Sequence, residues 1–265
     1  MALSAPGELV RRNDPDRFLA TLFAPQPARE TLFVLYAFNL ELARACEMAR
    51  EPQAAYLRLA WWREMVEGAV RRHEVATPLA AMLADGRLER EALLGLVAAR
   101  EDEVAPELAT LADWRRQMFA SQGGLAAAAG KALAGKALGG EAGPALSAFG
   151  AAYGAARLLR SIPALARQGR VLLPADLVAA HGLTPERLAA GDGAALLAFR
   201  ARLAAEAAAW LGEARRLRLP RAALPAALPA VLAGRDLRRV DEADARPRGI
   251  GARLAVVTAA LTGRV

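Results

Sequence analysis

The feature that most constrains the fold is the segment ARETLFVLYAFNLELARACEMA, at residues 28–49. It contains neither Gly nor Pro, and as a helix it is apolar on nearly every side. Pro27 suits the first turn of this helix, and Pro52 limits how far it can extend. A helix of this kind must be surrounded by other apolar elements, so we expect it at the centre of the core.

The rest of the chain also favours helices. Ala and Leu carry most of its 55% apolar content, and no segment alternates like a β-strand. We predict an all-α chain that forms one domain over residues 1–265, because no linker-like shift in composition divides it. A break is expected at the Gly-rich sequence GGEAGP. The helices are predicted at residues 28–49, 54–72, 89–104, 111–138, 145–166 and 192–217, with shorter ones in 222–262.

Two details of these helices bear on packing. Leu57, Trp61, Met65 and Val66 form the predicted buried stripe of the second helix, and only one of its two adjacent tryptophans is expected to be fully buried. The pair Gly123-Gly124 predicts a kink or a close approach of a ligand to the backbone.

Charge and cysteine content narrow the function classes. The net charge of +7 suits anionic lipids, phosphorylated ligands or nucleic acid, but no nucleic-acid motif accompanies it, so we expect no nucleic-acid partner. The single Cys46 excludes an intrachain disulfide and suits a reducing compartment. The chain has no secretory signal pattern and no apolar run of about 18 residues, which predicts a soluble or peripheral cytoplasmic protein.

Two segments carry a resemblance: LFVLYAFNLELARACE in the first long helix, and YGAARLLRSIPALARQGRVLLPADLVAAHGL further on. The second contains the pattern GR-x-LP-x-D at Gly169, Arg170, Leu173, Pro174 and Asp176. Both segments resemble the squalene and phytoene synthase family. The resemblance implies an isoprenoid-synthase-type helical bundle around a central cavity.

Members of that family condense two allylic diphosphates and hold Mg²⁺ with two aspartate-rich helices, because the departing diphosphate needs cations to stabilise it. The first aspartate motif falls on residues 43–47, where Glu47 is the only acid, and the second falls on residues 157–165, which contain no acid. We therefore predict no catalytic residue, no metal site and no cofactor. Mg²⁺ is expected only if prenyltransferase activity persists.

Arginines stand where the family has metal-side groups, which suggests direct recognition of an anion. The alternative is that these arginines turn outward or pair with Glu41 and Glu47. For the GR-x-LP-x-D pattern we favour a structural corner of the fold over a catalytic role. The candidate ligand-binding residues of the cavity are Tyr36, Asn39, Arg44, Glu47, Arg157, Arg160, Ser161 and Arg170.

The segment YAFN-x-E-LA is also similar to a non-catalytic branch of the family that includes a mitochondrial assembly factor of respiratory complex I. This resemblance implies a role in assembling a respiratory membrane complex, with its subunits and an isoprenoid or anionic lipid as partners, peripheral on the inner membrane. The alternatives are an active prenyltransferase with a non-standard diphosphate site and a plain carrier of a polyprenyl lipid. The sequence by itself favours a protein without enzymatic activity over an enzyme.

Overall fold

The structure is a computed structural model that describes residues 3–49, 51–105, 108–240 and 248–265. The described residues form α-helices joined by short turns and contain no β-strand, as the sequence predicts. The first eight helices are α1 (Ala5–Asn13), α2 (Pro15–Thr21), α3 (Gln26–Glu47), α4 (Pro52–Glu67), α5 (Ala76–Ala84), α6 (Arg90–Glu101), α7 (Leu111–Met118) and α8 (Gly124–Ala134). The others are α9 (Gly139–Arg167), α10 (Ala175–Ala180), α11 (Pro185–Ala190), α12 (Ala194–Ala214), α13 (Leu224–Ala227), α14 (Pro229–Asp236) and α15 (Ile250–Thr262).

Two long helices organise the bundle. The apolar helix α3 packs against α1, α4, α5, α6 and α8, and its residues 31–38 are all buried. The helix α9 packs against α8, α11, α12 and α14, and its side chains enter both apolar clusters of the core. Burying both helices removes a large apolar area from water, which is the main favourable contribution to folding.

A π-helical turn, Phe119–Gly123, joins α7 to α8 at the place where the glycine pair predicts an irregularity. This turn lies against α9 at Gly150 and Gly154, where a Cβ atom would overlap main-chain or side-chain atoms of Gln122. Glycine at these two positions therefore lets the π-turn and α9 approach more closely than any side chain would permit. Turns of this kind are frequent at functional sites.

Two sequence predictions are wrong, the first of them in part. Met65 and Val66 of the predicted stripe of α4 are buried, but Leu57 is exposed and Trp61 is partly exposed, because Trp62 packs against Phe38 of α3 and the buried side runs through Leu59 and Trp62 instead. Only one of the two adjacent tryptophans is buried, as predicted. The predicted break at GGEAGP is the first turn of α9, which begins at Gly139. Pro144 is tolerated there because it lies near the start of the helix on an exposed side.

Candidate functional site

A cleft of about 380 Å³ opens between the α1–α2 junction, α3, the π-turn and α9. The helices α3 and α9, which carry the start of the two segments of the sequence resemblance, both face it. Its polar lining consists of Asn13, Asp14, Arg17, Asn39, Arg44, Glu47, Arg100, Glu103, Ser121, Gln122, Arg157 and Arg170. Arginines outnumber carboxylates in this lining, so the cleft carries a net positive charge.

Asp14 is the buried centre of the cleft's charge network. It begins α2, where its carboxylate accepts a hydrogen bond from the main-chain N–H of Arg17 at 3.1 Å. The same carboxylate is 2.8 Å from the guanidinium of Arg17 and 2.9 Å from that of Arg157 on α9. Burial by itself would raise the pKa of Asp14, but the charges of Arg157 and Arg17 hold this pKa below its usual value. Asp14 is therefore a charged clamp between α2 and α9.

Arg17 is also buried and joins three further groups. Its Nη2 donates to Oε1 of Gln122 at 2.8 Å, and its guanidinium lies against the rings of Tyr36 and Tyr153. Burial raises the pKa of Tyr36 to about 12. The notch at Gly150 and Gly154 admits Gln122, which links the π-turn to this network. These contacts fix the back wall of the cleft.

A second network forms the side wall. Arg100, at the end of α6, pairs with Glu103 and donates from Nη2 to Oδ1 of Asn39 at 3.1 Å. Gln117 donates to Oε1 of Glu103 at 3.2 Å and to the carbonyl oxygen of Ala99 at 2.8 Å. All four side chains are buried, and they hold α3, α6 and α7 together at this wall.

Two exposed pairs border the mouth of the cleft. Arg44 is 2.8 Å from Glu41, one turn earlier on α3. Arg170 follows α9 and reaches back to Glu47 at the end of α3, at 3.3 Å. The turn that carries Arg170 requires Gly169, whose φ of +71° lies in the left-handed region. Ion pairs this exposed add little stability and leave their guanidinium groups accessible to a ligand.

The structure brings five of the predicted site residues together at the cleft: Asn39, Arg44, Glu47, Arg157 and Arg170. Tyr36 is buried behind Arg17. Arg160 points to α14, where it is 3.4 Å from Asp236, and the neighbouring Ser161 is partly buried and does not line the cleft.

The family model for squalene/phytoene synthases matches residues 10–258. The chain belongs to the squalene/phytoene synthase family. Its relatives include the complex I assembly factor 6 homolog of Drosophila melanogaster, which is 31% identical over 193 residues, or 68% of this chain and 56% of the relative. The Homo sapiens complex I assembly factor 6 is 28% identical over 187 residues, or 68% of this chain and 55% of the relative. The chain thus spans a little over half the length of the curated relatives that it matches.

Solved structures with the same fold extend over nearly the whole chain. A dehydrosqualene synthase in complex with ligand has a TM-score of 0.82 at 13% identity, covering 97% of this chain and 94% of that one. The squalene synthase HpnC from Alicyclobacillus acidocaldarius has a TM-score of 0.68 at 19% identity, covering 97% and 92%. These likenesses confirm the predicted all-α isoprenoid-synthase fold.

The carboxylates at this family member's cleft do not fit a magnesium cluster. Asp14 is paired with two arginines, Glu103 with Arg100, and Glu47 with Arg170. Mg²⁺ is usually held by one or two carboxylates together with water and substrate phosphates, and it would have to compete here with a guanidinium at each carboxylate. In the parts of the chain that the structure describes, no group of three or more His, Cys, Asp or Glu side chains is placed to hold a metal ion.

Sequence reasoning missed the residues that organise the cleft, above all Asp14, Arg17, Arg100 and Glu103. Asp14 and Pro15 together form a helix-start signal, and that signal could have drawn attention to Asp14. Nothing local indicates that the carboxylate reaches Arg157, since 143 residues separate the two. Such pairings depend on how distant helices pack.

Within the described helices, none combines the length and apolar character needed to cross a bilayer.

Proposed function

We propose that this protein is a non-catalytic squalene/phytoene synthase family member that assists the assembly of a respiratory membrane complex, complex I. The pairing of the cleft carboxylates with arginines carries the non-catalytic part, because a carboxylate whose charge is offset by a guanidinium attracts Mg²⁺ less strongly, and metal-assisted ionisation of a diphosphate depends on bound Mg²⁺. The assembly role is supported by the Drosophila and human relatives, whose similarity extends over 68% of this chain. The partners are respiratory-complex subunits, and the protein works at the inner membrane.

The cleft would serve this role by holding the anionic head group of an isoprenoid or other lipid without metal. Arg44, Arg157 and Arg170 line it, and each retains exposed guanidinium surface. Guanidinium groups bind phosphate or carboxylate oxygens in pairs, so no cation is needed between protein and ligand.

One alternative is an active prenyltransferase with a non-standard diphosphate site. The close likeness of the fold to a dehydrosqualene synthase favours it, because the same bundle encloses the cleft. This alternative predicts that the purified protein, given farnesyl or geranylgeranyl diphosphate and Mg²⁺, releases pyrophosphate. Absence of release removes it, and release at an enzymatic rate overturns the non-catalytic proposal.

The assembly role is tested by deleting the gene in its native host. We expect complex I activity and the amount of assembled complex to fall, while squalene and carotenoid levels stay unchanged. The wild-type gene should restore complex I. The opposite pattern, with normal complex I and altered isoprenoids, contradicts the proposal.

The contribution of the cleft is tested in the same deletion strain. We expect Arg44→Gln/Arg157→Gln to restore complex I less well than the wild type. Arg58→Gln/Arg72→Gln is the matched control, because both are exposed arginines outside the cleft and the same number of charges is removed. Equal restoration by the cleft variant would show that these arginines serve no ligand. The amount of folded protein is measured alongside in each strain.

A further inference from the structure

The last helix of the chain, α15, leaves an apolar stripe uncovered. Ile250, Leu254 and Leu261 are 77%, 58% and 71% exposed. At 100° per residue these three positions lie within about 40° of one another around the helix, so they form a single line. The side that packs on α14 buries only Val256 and Ala259.

The charges on α15 itself are all of one sign, whereas Arg248, just before this helix, pairs with Asp16 and Asp236. Residues 248–265 contain arginines but no Asp or Glu, and the same is true of residues 214–235. Arg253 lies beside the stripe on α15, and the guanidinium of Arg235 lies next to the first turn of that helix, at Gly251. Among the residues that the structure describes, neither arginine has a carboxylate partner.

The stripe continues into a basic pocket. Gly263 has a φ of +73°, which ends α15 and leads Arg264 into a pocket of about 440 Å³. This pocket also contains Arg215 and Arg221, above an apolar floor that includes Leu217 and Leu219. The guanidinium of Arg215 lies near that of Arg238, and burial together with this like charge lowers the pKa of Arg215. Arg215 donates from Nε to the main-chain oxygen of Val265 at 2.9 Å, and no Asp or Glu side chain is among the residues that line this pocket.

We infer that α15 and the adjoining basic pocket form a docking surface for a membrane that contains anionic lipids. Leu and Ile side chains enter the boundary between head groups and acyl chains, while the arginines contact lipid phosphates. At about 1.5 Å per residue α15 is about 20 Å long, too short to cross a hydrocarbon core of about 30 Å, so it lies along the surface. This inference deepens the proposed location at the membrane but does not depend on the assembly role.

The charge pattern favours a membrane over a protein partner. A protein groove that accepts an apolar stripe needs no uniform charge around it. An anionic membrane attracts every arginine near its surface, by about 1 kcal/mol for each one. The exposed apolar side chains of α4 provide a contrast, since Leu57 is 65% exposed but the same helix carries Glu64 in an ion pair with Arg71.

The test is flotation of the purified full chain with vesicles of phosphatidylcholine alone or mixed with phosphatidylglycerol. We expect binding to the anionic vesicles only, and weaker binding at high salt because salt screens exposed charges. Arg253→Gln/Arg264→Gln should lower the partition coefficient about 30-fold. Leu254→Ser/Leu261→Ser should lower it at least about tenfold.

Matched controls lie on and after α4. Arg58→Gln/Arg72→Gln removes the same charge from exposed positions, and Leu57→Ser/Val70→Ser removes comparable exposed apolar surface. Both controls should bind vesicles like the wild type. Circular dichroism and thermal unfolding check that every variant is folded.

Several results would overturn the inference. These are no flotation of the wild type, equal binding to neutral vesicles, or equal loss in the control variants. A change from dimer to monomer in Leu254→Ser/Leu261→Ser, without vesicle binding by the wild type, would show that a second copy covers the stripe. If the wild type binds no vesicles but the stripe variant fails to restore complex I, the occupant is a protein. If the wild type binds anionic vesicles but does not restore complex I, the membrane-docking inference holds and the assembly role is wrong.

Discussion

Arginine serves two different purposes in two regions of this molecule. In the cleft, Arg17 and Arg100 are buried, pair with a carboxylate of their own segment and reach other helices through Gln122 and Asn39. Arg157 ties α9 to Asp14 and keeps part of its guanidinium exposed. On the surface formed by α15 and the basic pocket, Arg253 and Arg264 have no carboxylate partner among the described residues, and apolar side chains stand exposed beside them. The contrast teaches that the burial and the pairing of an arginine, rather than its number in the sequence, separate a structural role from a recognition role.

Among the substitutions that test this comparison, we expect the largest change in the free energy of unfolding for Asp14→Asn. Asp14→Asn leaves two guanidinium groups without their counter-charge, one of them buried, which should lower the free energy of unfolding by about 3–5 kcal/mol. Urea unfolding followed by circular dichroism measures it. Asp192→Asn is the control, because Asp192 is exposed in a loop, and its effect should stay within about 0.5 kcal/mol. Similar values for both variants would show that the cleft network is not structural.

Lowering the pH should also weaken the pairing of Asp14 with Arg17 and Arg157. The loss of stability should be smaller than in Asp14→Asn, because a protonated Asp14 keeps part of its hydrogen bonding. The pKa of Asp14 is lower in the folded protein than its ordinary value of 3.8. Its contribution to stability is therefore complete above that value and is lost as the pH falls through the lower folded-state pKa. Unfolding free energies measured across this range should fall more steeply for the wild type than for Asp14→Asn. Equal slopes would contradict the assignment.

The back wall of the cleft should be more sensitive to added volume than α15. Gly150→Ala would place a methyl group against the main chain of Gln122, and we expect a loss of about 1–3 kcal/mol. Gly251→Ala is the counterpart on α15, where the nearest atom is Nη2 of Arg235 at 3.9 Å. There we expect no loss, and a gain of up to about 1 kcal/mol. Thermal unfolding of the two variants gives the comparison, and a loss at Gly251 as large as at Gly150 would break it.

The smallest effects should come from exposed arginines in either region. Arg44→Gln breaks an exposed pair with Glu41, and Arg253→Gln removes a charge with no described acidic partner. Both should change the free energy of unfolding by less than about 1 kcal/mol. Their effects should appear in ligand or vesicle binding instead. A large loss of stability in Arg253→Gln would show that α15 uses this residue to hold the fold.

Local signals were sufficient for much of the architecture. The apolar segment at residues 28–49 became α3, and the glycine pair at 123–124 marked the π-turn and the start of α8. Local patterns failed on α4, where two nearby leucines were equally suited to a buried position. Leu57 and Leu59 both suit a buried stripe, and only the contact of Trp62 with Phe38 decides which side of α4 faces the core.

The sequence by itself determined that the chain is helical, that residues 43–47 and 157–165 contain a single acid, Glu47, and that arginines stand among them. These properties are local, because they depend on residue type and spacing within single helices. Only the tertiary structure decided which arginine meets which carboxylate. Arg160 lies one helical turn from Arg157 but contacts Asp236 instead of the cleft, because side chains three positions apart on a helix can still reach different neighbouring helices. Ion pairing and exposure depend on the packing of segments far apart in the chain, so no pattern within one segment specifies them.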